Sequence, residues 1–265
     1  MRYKMVLAYH GEQFSGWQRQ DNAPSVQAAV ETALSNIDGR AVSVIAAGRT
    51  DSGVHAVGQV ISFDLNRPMH PDKLLLAINF HLRPQNVAAM TCQLVPPDFH
   101  ARFNATGRDY RYRLLIRVAP PVLERGQVWH HPRLLDISTM QDGAAFLVGH
   151  HDFSSFRAAQ CQATSPIRTL TLAQVMAVED EIHFLFSARS FLHHQVRNMV
   201  GTLVLVGRGI MTPADIKTIL TAKDRNQAGP TAPAQGLCLM AVHYDRAEQA
   251  DAKKIITNNG ESANE

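Results

Sequence analysis

Apolar and polar residues alternate and regroup along the chain in a way that defines its elements. Residues 3–9, Tyr-Lys-Met-Val-Leu-Ala-Tyr, are rich in strand formers. After Ser25, a good helix N-cap, the spacing turns helical: Val26, Ala29, Val30, Ala33, Leu34 and Ile37 share one face. Val42–Ala47 and Val57–Asp64 read as strands separated by a polar, glycine-containing loop. Pro71 and Asp72 open a second helix running to Leu82, with Leu75, Ile78 and Asn79 near one another on its surface, and Asn86–Val95 reads as a further apolar strand. The order is β-α-β-β-α-β, the ferredoxin-like pattern.

The second half repeats that order. Tyr110–Val118 reads as a strand, Ile137–Val148 as a helix, and Leu170–Val178 with Ile182–Arg189 as a hairpin around Glu179-Asp180-Glu181. A helix follows from about Phe191 to Val206, then a short one from Pro213, and Gly236–Tyr244 closes the set. No sequence repeat links the halves, so the duplication rests on element order alone. The predicted class is α+β: two fused ferredoxin-like halves with antiparallel sheets, residues 1–103 and 104–246. The polar stretch 247–265 lacks apolar periodicity and is expected to be a disordered tail.

Composition narrows the classes. With 265 residues and 45% apolar content the chain can bury a substantial core. It has no run near the roughly 18 apolar residues of a membrane span, and residues 1–5 do not read as a signal peptide. The three cysteines, Cys92, Cys161 and Cys238, are scattered, which argues against a disulfide framework or a zinc knuckle and for a reducing cytoplasm. A formal charge of +3 does not identify a nucleic-acid partner, but 20 of the 26 basic residues are arginine. Arginine's planar fork suits phosphates and stacking on bases. Arg102, Arg108, Arg111, Arg113 and Arg117 crowd one stretch opposed only by Asp109, which a solvated strand face also explains.

The sharpest local feature is the loop 47–55, Ala-Gly-Arg-Thr-Asp-Ser-Gly-Val-His, where a strand ends and glycines bracket arginine, threonine and aspartate. Loops held by a strand scaffold are where catalytic groups tend to sit. Taken alone, the segment reads equally as an ordinary turn, with Asp51 bonded to nearby backbone and Gly53 at positive φ.

Gly48-Arg49-Thr50-Asp51-Ser52-Gly53-Val54-His55-Ala56 resembles the G-R-T-D-x-G-V-H-A signature of the tRNA pseudouridine synthase A family. Further matches follow in order: Gly16-Trp17-Gln18-Arg19-Gln20, Phe99-His100-Ala101-Arg102-Phe103, Arg108-x-Tyr110-Arg111-Tyr112 and Asp152-Phe153-x-x-Phe156. His194-x-Val196-Arg197-Asn198-Met199-Val200-Gly201, Ala222-Lys223-Asp224-Arg225 and Thr231-Ala232-Pro233-Ala234-x-Gly236-Leu237 complete the series. The matches run from about residue 3 to 244. Two positions depart from the pattern: Asp109 stands where a neutral or basic residue is expected, and Arg83 is an extra residue in Asn79-Phe80-His81-Leu82-Arg83-Pro84.

The resemblance implies a pseudouridine synthase catalytic domain that isomerises uridine to pseudouridine at positions 38, 39 and 40 of the tRNA anticodon stem-loop. Asp51 matches the nucleophile. The reaction breaks the N1–C1′ bond, turns the uracil and joins C5 to C1′, and a carboxylate can attack carbon and leave again. Attack at uracil C6, attack at ribose C1′ and assistance to elimination all fit. Arg197 matches a residue that pairs with the aspartate and would keep it ionised despite burial. Tyr110 matches a tyrosine that stacks on the target base, and a phenol in reach of C5 is also a candidate proton acceptor. Arg49 matches a residue that fills the gap left by a flipped base. Further implied tRNA contacts are Arg67, Phe99, His100, Ala101, Arg102, Phe103 and Arg117, with Gln160, Cys161, Gln162, Ala163 and Thr164. A homodimer is implied as well.

The pairs His130-His131, His150-His151 and His193-His194 invite a metal reading, but adjacent histidines rarely aim at one ion and no zinc-type spacing accompanies them. No P-loop or dinucleotide fingerprint occurs, and an internal rearrangement requires no cofactor, so neither cofactor nor metal is expected. A competing reading is a non-catalytic RNA binder built from tandem RNA-recognition-like folds. Asp51 discriminates between the two, because a binder gains nothing from a carboxylate facing a polyanion. A metal-dependent hydrolase, the third reading, would require activity that a chelator removes.

Overall fold

The computed structural model describes residues 1–245. The tail expected from residue 247 onward lies outside the described residues. The described chain divides into two units: residues 1–106 with 240–245, and Gly107–Leu239.

The first unit contains β1 (Arg2–Tyr9), α1 (Val26–Asp38), β2 (Ile45–Ala46), β3 (His55–Asp64), α2 (Pro71–His81) and β4 (Val87–Leu94). Strand β1 buries every second residue, Tyr3, Met5, Leu7 and Tyr9, as a strand with one covered face must. It lies antiparallel between β4 and β3, and β2 adds to the far side of β3, giving the order 4-1-3-2 of a ferredoxin-like sheet. Ser25 caps α1 by accepting from the Ala28 N–H at 3.3 Å, and Pro71 opens α2 where its missing N–H costs nothing.

The predicted strand Val42–Ala47 shrinks to Ile45–Ala46. Side chains of α1 take its backbone donors: Ser35 Oγ accepts from Val42 N–H and Glu31 carboxylate from Val44 N–H, both at 3.0 Å. A buried carboxylate thus replaces a ladder partner.

The second unit contains most of β5 (Ala105–Leu115), then β6 (Trp129–His130), α3 (Ile137–Ala145), β7 (Gly149–Asp152), β8 (Ile167–Val178), β9 (Glu181–Ala188), α4 (Gln195–Gly207) and α5 (Asp215–Ala222). The last strand, β10 (Leu237–Tyr244), begins in this unit and ends in the first. Strands run in the order β5-β9-β8-β7, antiparallel throughout, while β6 pairs parallel with β5. The fold is α+β, as the element order predicts, with β6, β7 and α5 added to the β-α-β-β-α-β plan.

Two boundaries moved for visible reasons. Helix α4 begins at Gln195 rather than near Phe191, because His194 takes the left-handed conformation at φ 62° and the Gln195 side chain captures the Leu192 N–H at 2.8 Å. Helix α3 ends at Ala145, where three successive N–H groups, from Phe146 to Val148, bond three residues back and tighten the turn.

Candidate active site

The loop between β2 and β3 is fastened at alternate residues. Gly48 carbonyl accepts from Gln59 Nε2 at 2.8 Å. Thr50 is buried, its hydroxyl 2.9 Å from Tyr9 Oη and its carbonyl accepting from the Trp17 N–H at 3.0 Å. Ser52 Oγ donates to the Phe14 carbonyl at 3.3 Å, and His55 Nδ1 accepts from the Gly11 N–H at 3.0 Å. Between these anchors Arg49 is exposed and Asp51 half-buried. The two candidate site side chains, Arg49 and Asp51, therefore alternate with neighbours whose hydrogen bonds hold the loop. A backbone turn is present here as well: Val54 N–H donates to the Asp51 carbonyl at 3.1 Å and Gly53 takes a φ of 77°. That turn is made by backbone and leaves the carboxylate's role untouched.

The segment 16–20 supports this loop from below. Trp17 is buried beside Tyr9, with ring centroids 6.2 Å apart. Arg19 is drawn back toward α1, where it pairs with the buried Glu31 at 2.5 Å while its N–H donates to Gln27 at 3.0 Å. These residues are braces for the loop.

The stretch 99–103 splits by exposure. Phe99 and Ala101 are core: Phe99 packs on Tyr244 at 5.2 Å, and Tyr244 Oη donates to the Ala101 carbonyl at 2.7 Å. Phe103 is 69% exposed and stacks on His100 at 4.2 Å, with the Arg102 guanidinium 5.6 Å from its ring centre. An aromatic pair with a cation beside it suits an unstacked base or a ribose–phosphate edge. Arg67 is exposed at the C-terminal end of α1, where its N–H and those of Asn66 bond Asp38 and hold that carboxyl below its ordinary range.

In the second unit, Tyr110 lies half-buried on β5, edge-on to Phe191 at 5.2 Å. Tyr112, on the same strand face, is wholly buried and donates to the Pro233 carbonyl at 2.8 Å; burial pushes its phenol far up. Asp109, the residue departing from the family pattern, accepts from Ser187 Oγ at 2.6 Å. Arg117 binds Asp180 at 2.8 Å and Glu124 at 3.1 Å, so any phosphate contact there competes with two carboxylates. Gln160 and Gln162 are exposed in the loop before β8, which the Cys161 N–H closes onto the Ala158 carbonyl at 3.0 Å. Ala163 is half-buried and Thr164 exposed in the same loop.

Arg197 sits in the first turn of α4, half-buried, with Nε donating to the Ala232 carbonyl at 2.8 Å and its own carbonyl accepting from the Ala232 N–H at 3.1 Å. One side chain explains why four of the distant motifs go together. The buried Asn198 donates to the Phe156 carbonyl at 2.8 Å and accepts from Thr231 Oγ1 at 2.7 Å and Arg225 at 3.1 Å. It thereby ties α4 to residues of the D-F-x-x-F, A-K-D-R and T-A-P-A motifs. Sequence reading quoted Asn198 as a motif member and missed its role. It also passed over Tyr9 and Gln59; the only signal was a polar residue at an inward strand position.

Comparison with known proteins identifies the family. Residues 5–104 and 144–245 match a family model described as tRNA pseudouridine synthase. The chain is 51% identical over 253 residues to tRNA pseudouridine synthase A of Rhodospirillum rubrum, covering 96% of this chain and 91% of that one. It is 53% identical over 243 residues to the Rhodospirillum centenum protein of the same name (92% and 99% covered), and 52% over 243 residues to that of Maricaulis maris (92% and 98%). Among solved structures, a chain of a Cbf5-Nop10-Gar1 complex aligns over 76% of this chain and 53% of its own, at 10% identity and a TM-score of 0.32, a likeness too slight to argue from. The chain belongs to the tRNA pseudouridine synthase A family.

Proposed function

We propose that this isomerase converts uridine to pseudouridine at positions 38, 39 and 40 of the tRNA anticodon stem-loop, with Asp51 as nucleophile. The observation that carries the reading is the loop itself: Arg49 and Asp51 are presented between hydrogen-bonded anchors at the Gly48 carbonyl, the Thr50 hydroxyl and carbonyl, and the Ser52 hydroxyl. A group that must meet a carbon atom gains from such fixation, because misplacement by about 1 Å can cost on the order of 10²-fold in rate. The carboxylate attacks carbon of the uridine, the N1–C1′ bond breaks, the base turns and C5 joins C1′; the bond to the carboxylate is broken again to free Asp51, and the C5 proton is lost while N1 gains one. Arg197 pairs with the carboxylate, Tyr110 stacks on the base, and Arg49 occupies the place the base has left. Arg67, Arg102, Phe103 and the loop 160–164 follow the tRNA backbone, and Arg117 joins them only by giving up a carboxylate.

The proposal includes a homodimer working in the cytoplasm. Val118, Val122, Leu123 and Leu134, between β5 and α3, are 75–89% exposed, an amount of apolar surface that suits burial against a second copy. No helix among the described residues is long and apolar enough to cross a membrane, and none of the three cysteines is in a disulfide.

The test is tritium release from 5-tritiated tRNA without added cofactor, by the wild type and by Asp51→Asn. Release by the wild type alone is expected, mapping to positions 38–40. Equal release by both would remove Asp51 as nucleophile, and tRNA binding without release would favour the non-catalytic reading.

A further inference from the structure

We infer that Gln59, acting with Tyr9, is the positioning residue that sets the loop carrying Arg49 and Asp51; the inference rests on the proposed roles of those two residues. Gln59 lies on β3 with no solvent exposure, at a strand position that ordinarily takes an apolar side chain. Its Nε2 donates to the Gly48 carbonyl at 2.8 Å and, more weakly, to Tyr9 Oη at 3.4 Å. Tyr9 Oη also shares a hydrogen bond of 2.9 Å with Thr50 Oγ1, in which either oxygen can donate. One amide therefore grips the loop on both sides of Arg49, directly at Gly48 and through the phenol at Thr50, and the second grip is next to Asp51.

The amide's orientation is fixed by chemistry. Turning it over would set Oε1 against the Gly48 carbonyl oxygen, two acceptors facing each other. In the orientation observed, Oε1 is buried without a partner. An enclosed, unsatisfied acceptor is a standing cost to the fold. A residue serving stability alone would be a leucine or methionine here, so what distinguishes glutamine at this position is the amide N–H pair it donates to Gly48 and Tyr9. The same network is separate from the groups proposed to touch the substrate, since all three side chains are buried beneath the loop.

The experiment compares Gln59→Met, Gln59→Glu and Tyr9→Phe with the wild type and Asp51→Asn, by single-turnover tritium release, tRNA binding and thermal unfolding. Methionine fills the same space without donors. We expect Gln59→Met to bind tRNA within about twofold of wild type and to turn over about 10²-fold more slowly, the split of an interaction that matters in the transition state. Tyr9→Phe keeps the ring and should lose about tenfold, with no further loss when combined with Gln59→Met. Glutamate at 59 can donate to Gly48 only when protonated, so the ratio of Gln59→Glu to wild-type rate should rise at least fivefold between pH 8 and pH 6. A merely structural role gives no such pH-dependent ratio, and the ratio can be read on folded protein even if Gln59→Met is unstable. Turnover by Gln59→Met within twofold of wild type, or a pH-independent Gln59→Glu ratio, overturns the inference while Asp51→Asn remains inactive. Activity in Asp51→Asn would instead remove the reading on which the inference stands.

Discussion

The backbone N–H of Trp17 donates to the carbonyl of Thr50 at 3.0 Å, joining the segment before α1 to the candidate catalytic loop through main chain alone. The approach is possible because Gly16 has no side chain: a Cβ there would stand 2.8 Å from the Thr50 carbonyl oxygen, and its φ of 99° is strained for any other residue. Gly16→Ala should therefore push the two segments apart. We expect a loss of about 1–3 kcal/mol in stability by urea unfolding and about 10²-fold in turnover. An alanine variant with wild-type rate would show that the loop tolerates displacement.

Asn198 offers a second structural prediction. Asn198→Ala leaves the Phe156 carbonyl, the Thr231 hydroxyl and the Arg225 guanidinium each short of a partner inside the second unit. Arg225 is already disfavoured as a cation by burial, which lowers its proton affinity, so losing an acceptor there is costly. Destabilisation of about 2–4 kcal/mol is expected. Gly201→Ala should be comparable, because its Cβ would collide with the Pro230 carbonyl that lies on α4. Calorimetric unfolding of both variants checks this, and a shift under about 2 °C in either would contradict it.

The elements of the first unit were legible because each follows one period: alternation in β1, a helical stripe from Val26 to Ile37. The Val42–Val44 stretch was not, since Glu31 and Ser35 compete for its backbone donors from a distance along the chain that no local window sees. The start of α4 escaped for a similar reason: a histidine in the left-handed conformation has no compositional mark. At the site, motif order identified Asp51, Arg197 and Tyr110 as candidates. It did not separate residues that face outward from those that brace. Phe99 and Ala101 share a motif with Phe103, yet two are core and one is exposed, a distinction only packing makes. Nor does motif order show that Arg117, an implied tRNA contact, has Asp180 and Glu124 beside it.

The exposed apolar stretch before α3 predicts an assembly. If Val118, Val122, Leu123 and Leu134 meet a second copy, the protein should elute with twice the chain's mass in light scattering. Leu123→Asp with Leu134→Asp should yield monomers of unchanged unfolding temperature. A monomeric wild type would rule the dimer out.

Glu181 gives the acid limb of stability. It accepts from Arg113 through two bonds of 2.8 and 2.5 Å and from His183 at 2.8 Å. Burial alone would raise its proton affinity, but these partners outweigh burial and leave it below the ordinary glutamate range. A carboxyl whose folded value is depressed stabilises the fold above its unfolded value, about pH 4.3, and loses that contribution as pH falls through the folded value. Glu181→Gln should therefore cost about 1 kcal/mol at pH 7, allowing for solvent screening, and almost nothing near pH 2. Urea titrations at pH 7, 5, 4 and 3 would show the gap between variant and wild type closing below about pH 4.

Tyr110 separates two chemical roles that its position leaves together. It lies half-buried on β5, edge-on to Phe191 at 5.2 Å, so the ring is held whether or not the hydroxyl is present. If the ring stacks on the uracil, Tyr110→Phe keeps that face and should turn over within about tenfold of wild type. Tyr110→Ala removes it, and with stacking worth about 1–3 kcal/mol per base the loss should be roughly 5- to 150-fold in kcat/KM. If the phenol removes the C5 proton, the pattern inverts: Tyr110→Phe becomes as poor as Tyr110→Ala, and a tritium isotope effect emerges on release from 5-labelled tRNA. We expect the first pattern, because a stacking face needs only the ring, which Phe191 holds edge-on. Rapid-quench kinetics on the two variants, at saturating and limiting tRNA, distinguishes the outcomes directly.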